Sequence, residues 1–570
     1  MDIMLNVIIL FLFVCNQCLC DICKTCVCST SSKFKKKFVK FIKLMIKICI
    51  VIFADEGLII NCYDKNLGNN EVLNFDLLTL DKRRPLNKLI LSKNNIVFLP
   101  INELKNLKHL KGLDLSQNQL NNIHSDIFKH LNEIEDLNYS NNLLWAFDIS
   151  ILNTVPSLSK LNLSYNYLNN LEWNSENATK LKTLDVSHNN LIDLNFLDGM
   201  PKLEYLNLSF NKLASLPVDS LLNMRCLKIL SVNNNELLSL NFQYFSLSLL
   251  ELHAKNNFIN TVTFDKSSIH ILNIQNNSIF NLNNNLTLLE DLKSLNISKN
   301  FLLDFPDVIL KNLETLDVSY NNLTIIPETI SNKNCPNLRI FKANGNHLKD
   351  VTIWSNLNLE IFEIKFVETI EKIDEKTFLK LKEKNNSCIN ITISNNKKLN
   401  TIQENVFQHM NMCSLDLSNN RFVYLPPKLF NINKNISNLN YHINIQENPF
   451  VCNCSLQWML NELVPRLYIK NRNFLEDLRC AGPPPLANKR MIHWYKWEGE
   501  VFCDESSHFL ERMSVNIAGV SSKQVVTFTT GPGTIAILAT AIALLTILMI
   551  IGILLTRRMI AKRRRINRRL

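Results

Sequence analysis

Residues 110–120 read L-K-G-L-D-L-S-Q-N-Q-L, and residues 158–168 read L-S-K-L-N-L-S-Y-N-Y-L. Leu110, Leu113, Leu115, Asn118 and Leu120 in the first stretch match Leu158, Leu161, Leu163, Asn166 and Leu168 in the second. The asparagine recurs at Asn94, Asn118, Asn142, Asn166, Asn189, Asn211, Asn235, Asn257, Asn277, Asn300, Asn321 and Asn346, at spacings of 20 to 25 residues. It returns at Asn396, Asn420 and Asn448. No single helix or strand period produces such a beat, so the chain repeats one small unit many times.

Each unit has a physical logic. Its L-x-L core is a short strand with leucines pointing inward and the intervening residues outward. The asparagine side chain is placed to bond the backbone where the chain leaves the strand. One unit cannot bury its own leucines, so neighbours stack into one continuous core. A 20–29-residue repeat of this form is a leucine-rich repeat. The expected fold is an α/β solenoid, a horseshoe with parallel strands on its concave face and cysteine-rich caps. Leu359, Phe362 and Ile364 form a degenerate unit with Val367 in place of asparagine, and the spacing to Asn396 is stretched. Residues 350–400 therefore read as an irregular coil or a bend.

Charge and hydrophobicity divide the chain further. Net charge is +11, but 33–47 hold seven lysines and 557–570 hold eight Lys or Arg, which leaves −4 elsewhere. The basic balance lies outside the repeats and gives no nucleic-acid signal. Residues 1–20 resemble a signal peptide, although Asp2 replaces the usual basic residue. Thr534–Leu555 is 22 uncharged residues, enough for one membrane-spanning helix, and the basic residues follow at once. The expected organisation is a signal peptide at 1–20, an N-terminal cysteine cap at 21–62, and about 15–16 repeats over 63–447. A C-terminal cap at 448–503, a stalk at 504–533, the helix at 534–555 and a basic cytoplasmic tail at 556–570 follow. This places the chain in the plasma membrane as a single-pass type I protein with its N-terminus outside. The tail also suits anionic lipid headgroups, with a plain stop-transfer anchor the simpler role.

The cysteines fit an oxidising compartment. Cys23, Cys26, Cys28 and Cys62 read as the N-terminal disulfide cap, and Cys452, Cys454, Cys480 and Cys503 as the C-terminal one. The four C-terminal cysteines allow three pairings. Cys226, Cys335, Cys388 and Cys413 lie inside the array, as pairs or as small core residues. Twelve N-x-[ST] sequons are candidate glycosylation sites: Asn138, Asn162, Asn177, Asn207, Asn276, Asn285, Asn296, Asn322, Asn385, Asn390, Asn435 and Asn453. Between Cys28 and Cys62, residues 33–54 form a Lys-, Phe- and Ile-rich insert. It reads as a membrane-surface helix, a second signal element or, the reading favoured here, a retained intron.

With N-P-F-V-C-N-C-S-L-Q-W at 448–458 and then Cys480 and Cys503, residues 62–503 resemble a family of extracellular leucine-rich repeat proteins with a cysteine-rich C-terminal flank. It includes Slit, the Toll ectodomains, connectin and chaoptin. The resemblance implies Cys452–Cys480 and Cys454–Cys503 disulfides and a protein ligand. The 14-residue tail has no room for a Toll-type signalling domain.

No catalytic constellation is visible, and neither a metal nor a cofactor is expected. The eleven histidines are scattered, and the recurrent Asp114, Asp185, Asp317 and Asp416 follow the repeat. Counting from the first leucine of each unit, the third, fifth and seventh residues are expected to look outward. Two groups depart there from the usual Ser, Asp or Asn: Ile229, Glu251, His253, Lys255 and Ile271, and Ile340, Lys342, Ile361, Glu363 and Lys365. These are the candidate ligand contacts, with neutral drift the bland alternative. The expected function is a non-enzymatic cell-surface recognition or adhesion receptor for an extracellular or cell-surface protein. The alternatives are a Toll-like innate-immune or developmental co-receptor or decoy without a signalling domain, and a matrix-linking protein. Oligomeric state is open.

Overall fold

The computed structural model describes residues 50–503, apart from 55–56, 69–85, 101–103, 149–151, 153, 173–179, 386, 431–441 and 498. The signal peptide, Cys23, Cys26, Cys28, the stalk, the 534–555 span and the basic tail lie outside the described residues. Among those described, no helix is long and apolar enough to cross a membrane.

One 18-stranded sheet organises the molecule. It starts with an antiparallel pair, Ile50–Ala54 on Gly57–Asn61, so the end of the 33–54 insert forms the outer strand. Every later pairing along it is parallel and steps one repeat at a time, for example Gly112–Asp114 beside Asp136–Asn138. Most strands are three residues long, with the middle residue buried and its neighbours half-buried, as in Thr183–Asp185. Leu113, Leu137, Leu161, Leu184 and Leu206 occupy these middle positions, all at most 1% exposed.

The asparagines tie the repeats together. Asn118 donates through Nδ2 to the carbonyls of Leu91, one repeat back, at 3.0 Å and Leu115 at 2.9 Å. Its Oδ1 accepts the N–H groups of Asn94 and Ile96 at 2.9 and 3.0 Å. The same bridge recurs at Asn142, Asn166, Asn189 and onward. An amide is well suited here, because one side chain satisfies both buried donors and buried acceptors.

The expected α/β class is corrected to a parallel β-solenoid. Among the described residues of the repeats, α-helix is confined to Val218–Asn223. Other described return segments include 3-10 turns such as Ser125–Phe128, Asn195–Gly199 and Asn284–Leu288, and short parallel pairs such as Ser239–Asn241 with Thr261–Thr263. After strand and asparagine turn, a 20–25-residue unit has little chain left for a full helix. Asn and Ser also favour turns.

Residues 350–400 are not the irregular coil offered as one expectation. Ile361–Lys365 continues the sheet between Ile340–Lys342 and Ile389–Ser394. The extra length forms parallel pairs on the return side, Leu357–Leu359 with Leu381–Glu383 and Lys372–Ile373 with Thr401–Ile402. Phe341, Phe362, Phe378 and Phe407 fill the core there, ring to ring at 6.1, 5.5 and 5.9 Å. Val367 is buried and its N–H reaches Asn396 Oδ1 at 2.9 Å.

Cys388 is bonded to Cys413 in the next repeat. In the C-terminal cap Cys452 is bonded to Cys480, and Cys454 to Cys503. Cys62 is also disulfide-bonded. The cap packs Met459, Leu463, Val464 and Trp494 inside, and its Trp458 ring lies 6.0 Å from Phe430 of the last repeat.

Candidate ligand-binding face

The outward face of the sheet is built from third and fifth positions, with the half-buried seventh-position Lys255 and Lys365 at its margin. The seventh-position serines, expected to look outward, do not: Ser116, Ser140, Ser164, Ser187 and Ser209 are buried. The strand ends at the fifth residue, and the eighth takes a left-handed conformation, as at Gln117, Asn141 and Tyr165. The simple alternation of a strand therefore stops before the seventh residue.

The recurrent fifth-position Asp and Asn have a structural task. Asp114 Oδ1 accepts the Ser116 N–H at 2.9 Å, and Asp185 Oδ1 that of Ser187 at 2.9 Å. Asn138, Asn162, Asn207, Asn273, Asn296, Asp317 and Asp416 hold the N–H two residues on in the same way. This side-chain turn satisfies a donor that the ending strand leaves without a partner.

His253, Lys342 and Glu363 are different. The Lys255 N–H is instead taken by Asn233 Oδ1 of the preceding repeat at 2.9 Å. The Asn344 N–H goes to Ser319 Oγ at 3.1 Å, and the Lys365 N–H to Asn344 Oδ1 at 2.7 Å. A seventh-position side chain one repeat earlier has taken over the task. The fifth-position side chains are thereby released from it.

The candidate contacts meet in two clusters. Ile229, Glu251 and Ile271 are in register on adjacent strands, with His253 beside Glu251 at 3.4 Å. Tyr205 pairs in register with Ile229 and extends the row; the sequence reading missed it, although it occupies a third position. In the second cluster Ile340 pairs with Ile361, and Lys342 with Glu363. Glu363 accepts from Asn344 Nδ2 at 2.7 Å and lies 3.4 Å from Lys365. All ten contacts are half-buried. Strands carrying Ser294, Asn296, Thr315 and Asp317 separate the clusters. That interval is roughly 14 Å at ordinary strand spacing.

A charged rim that the sequence reading did not anticipate borders the face at second positions. Glu204 lies 3.2 Å from Lys182 and 2.8 Å from Lys228. These two ammonium groups hold the Glu204 carboxyl below its usual range, the hydrogen bond from Lys228 most of all. Arg339 spans Glu314 at 3.7 Å and Glu360 at 2.8 Å. Such exposed pairs contribute little stability and chiefly fix side-chain direction.

The sequons fall on several surfaces. Asn276, Asn285, Asn385 and Asn453 are exposed. Asn138, Asn162, Asn207, Asn296, Asn322 and Asn390 are half-buried, and Asn177 and Asn435 lie outside the described residues. Asn390 uses both amide atoms, accepting from Ser414 Oγ at 2.7 Å and donating to the Glu360 carbonyl at 3.3 Å.

The leucine-rich repeat family matches residues 84–144 and 156–213. No curated protein matches the chain. Among solved structures, a leucine-rich repeat protein of Leptospira interrogans is 21% identical, with a TM-score of 0.47, over 69% of this chain and 89% of that one. The Toll–Spatzle complex of Drosophila is 18% identical, with a TM-score of 0.44, over 72% of this chain and 60% of that one. The LRIM1/APL1C complex is 18% identical, with a TM-score of 0.44, over 75% and 74%. The leucine-rich repeat matched at 84–144 and 156–213 continues in the structure as the asparagine ladder, on to Asn448.

Proposed function

We propose that this chain is a cell-surface recognition or adhesion receptor that binds a protein ligand through the outward face of its sheet, without catalysis of its own. The observation that carries the reading is the release of His253, Lys342 and Glu363 from backbone capping, with Asn233, Ser319 and Asn344 holding the N–H groups instead. Drift at single positions would leave a buried or partly buried donor unsatisfied, at a cost of about 1 kcal/mol or more. Here each departure comes with a replacement acceptor. The clusters carry both charge signs beside isoleucine, which suits a protein surface. The apolar 534–555 span and the sequons support a membrane-anchored, glycosylated form, and the basic tail suits the cytoplasmic side.

The test is a cell-mixing assay. Fluorescently marked, non-adhesive cells expressing the full chain are mixed with unmarked cells. Marked cells clustering among themselves would mean homophilic adhesion, and mixed clusters a ligand on the unmarked cells. With single cells, the next step is a screen of fluorescent protein ligands. Loss of ligand capture with Lys255→Glu and Lys342→Glu at equal surface staining supports the sheet face. Unchanged capture discards it.

A further inference from the structure

The eighth residue of each repeat is left-handed, with φ of 54° at Tyr165, 53° at His188 and 57° at Phe210. Bulky side chains are uncommon there, and each costs on the order of 1–2 kcal/mol. Other repeats fill the position with residues such as Gln117, Asn141, Asn234, Asn256 and Asn276, and two further rings, Tyr320 and Phe366, stand there outside this run of three successive repeats. The three rings do not gain burial in the leucine core. They stack on one another along the side of the solenoid, His188 lying 3.8 Å from Tyr165 and 3.9 Å from Phe210, with interplanar angles of 10° and 15°.

The stack belongs to a larger apolar strip. Leu143, Trp145, Tyr165, Tyr167, Ile192 and Phe210 are 44, 63, 50, 56, 65 and 45% exposed. All six fall on the eighth, tenth or twelfth positions of four successive repeats, the edge just past the strand. Backbone bonds bind this edge from repeat to repeat: Leu143 N–H to Leu120, Tyr167 N–H to Leu144, Asn190 N–H to Leu168 and Lys212 N–H to Leu191, at 2.8 to 2.9 Å. In the repeats ending their strands before Asn142, Asn166 and Asn189, these nine positions hold no Asp, Glu, Lys or Arg. No sequon falls on the eighth, tenth or twelfth positions from the Asn94 repeat through the Asn257 repeat; Asn276 and Asn322 come later.

We infer that this edge is where two copies of the chain pack side by side, each presenting the Leu143–Phe210 strip to the other. Apart from Lys212 beside Phe210 at its end, the strip carries no Asp, Glu, Lys or Arg, so its middle can meet its own copy without burying an unpaired charge or opposing like charges. Each of the six side chains offers roughly 100 Å2, and the asparagines between them bring the strip close to the roughly 800 Å2 per partner of a stable interface. The stacked rings are already ordered, so pairing costs them little rotamer entropy. The strip is distinct from the sheet face, so the inference does not need the proposed ligand.

The test is co-precipitation of two differently tagged full-length copies expressed together. Wild-type copies should recover one another. Tyr167→Glu/Ile192→Glu should reduce self-recovery at least tenfold, and Tyr167→Lys/Ile192→Lys likewise, with expression and disulfide content unchanged. Mixing the Glu and Lys variants should restore recovery, a result that misfolding could not give. Absence of wild-type self-recovery would overturn the inference, as would undiminished self-recovery of either variant. A mixed pair that also fails would overturn the claim that the two edges face one another.

Discussion

Asn344 Oδ1 accepts the backbone N–H of Lys365 at 2.7 Å, a donor that in most repeats is held from within the repeat itself. Removing this amide with Asn344→Ala should cost about 1 kcal/mol, since a partly buried donor loses its partner. Adding Glu363→Asp should recover part of the loss, because an aspartate there can cap the residue two further on, as Asp317 caps Ser319 at 3.0 Å. Thermal denaturation of the single and double variants checks this. A double variant no more stable than Asn344→Ala would refute the exchange of roles.

Tyr139 stands where most repeats have leucine, valine or isoleucine at the sixth position. Its ring packs edge-on to Phe128 at 6.3 Å, while its hydroxyl is buried without a hydrogen-bond partner. Burial pushes the phenol's pKa well above its ordinary value. Tyr139→Phe keeps the ring and removes the stranded polar atom. It should be neutral or stabilising by up to about 1 kcal/mol, read as an equal or higher Tm. A loss of 1 kcal/mol or more would mean the hydroxyl has a partner in solution.

The beat of leucines and asparagines makes the strand, its register and the inter-repeat ladder legible from sequence, because each depends on residue type at fixed spacing. The burial of Ser116 and its counterparts was not legible. It follows from the left-handed residue that succeeds them, and only backbone geometry shows where the alternation stops. Among the described residues the helical part of the expected α/β class is sparse on the return side, because helix propensity competes with turns in short Asn- and Ser-rich segments. Residue types alone also located Lys342 and Glu363, but gave no sign that Ser319 and Asn344 had assumed their backbone duty. The Cys388–Cys413 bond left a usable signal: 25 residues is one repeat, and residues one repeat apart lie side by side in the sheet.

That bond clamps the strand at Ile389–Ser394 to its neighbour at Met412–Asp416, next to the stretched repeat. A closed loop of this size contributes about 3 kcal/mol, chiefly by restricting the unfolded chain. Cys388→Ser/Cys413→Ser should therefore lower Tm and speed proteolysis of the 360–420 region, with the Asn94–Asn346 repeats affected less. Limited proteolysis read by mass spectrometry distinguishes the two regions. Equal loss of protection in both would mean that the array unfolds as one cooperative unit.

The two remaining cysteines of the array should differ sharply in reactivity. Cys226 is exposed, whereas Cys335 is 1% exposed and burial pushes its thiol up to about 12. Alkylation proceeds through the thiolate, whose fraction at pH 8 is then very small at Cys335, and access is blocked as well. Iodoacetamide at pH 8 should modify the Cys226 peptide within minutes and leave the Cys335 peptide unmodified until denaturant is added. Raising the pH to 9.5 should still leave Cys335 almost untouched, since its thiol titrates far above that value. Comparable labelling of both peptides in the native protein would show that the core around Cys335 opens on the timescale of the reaction.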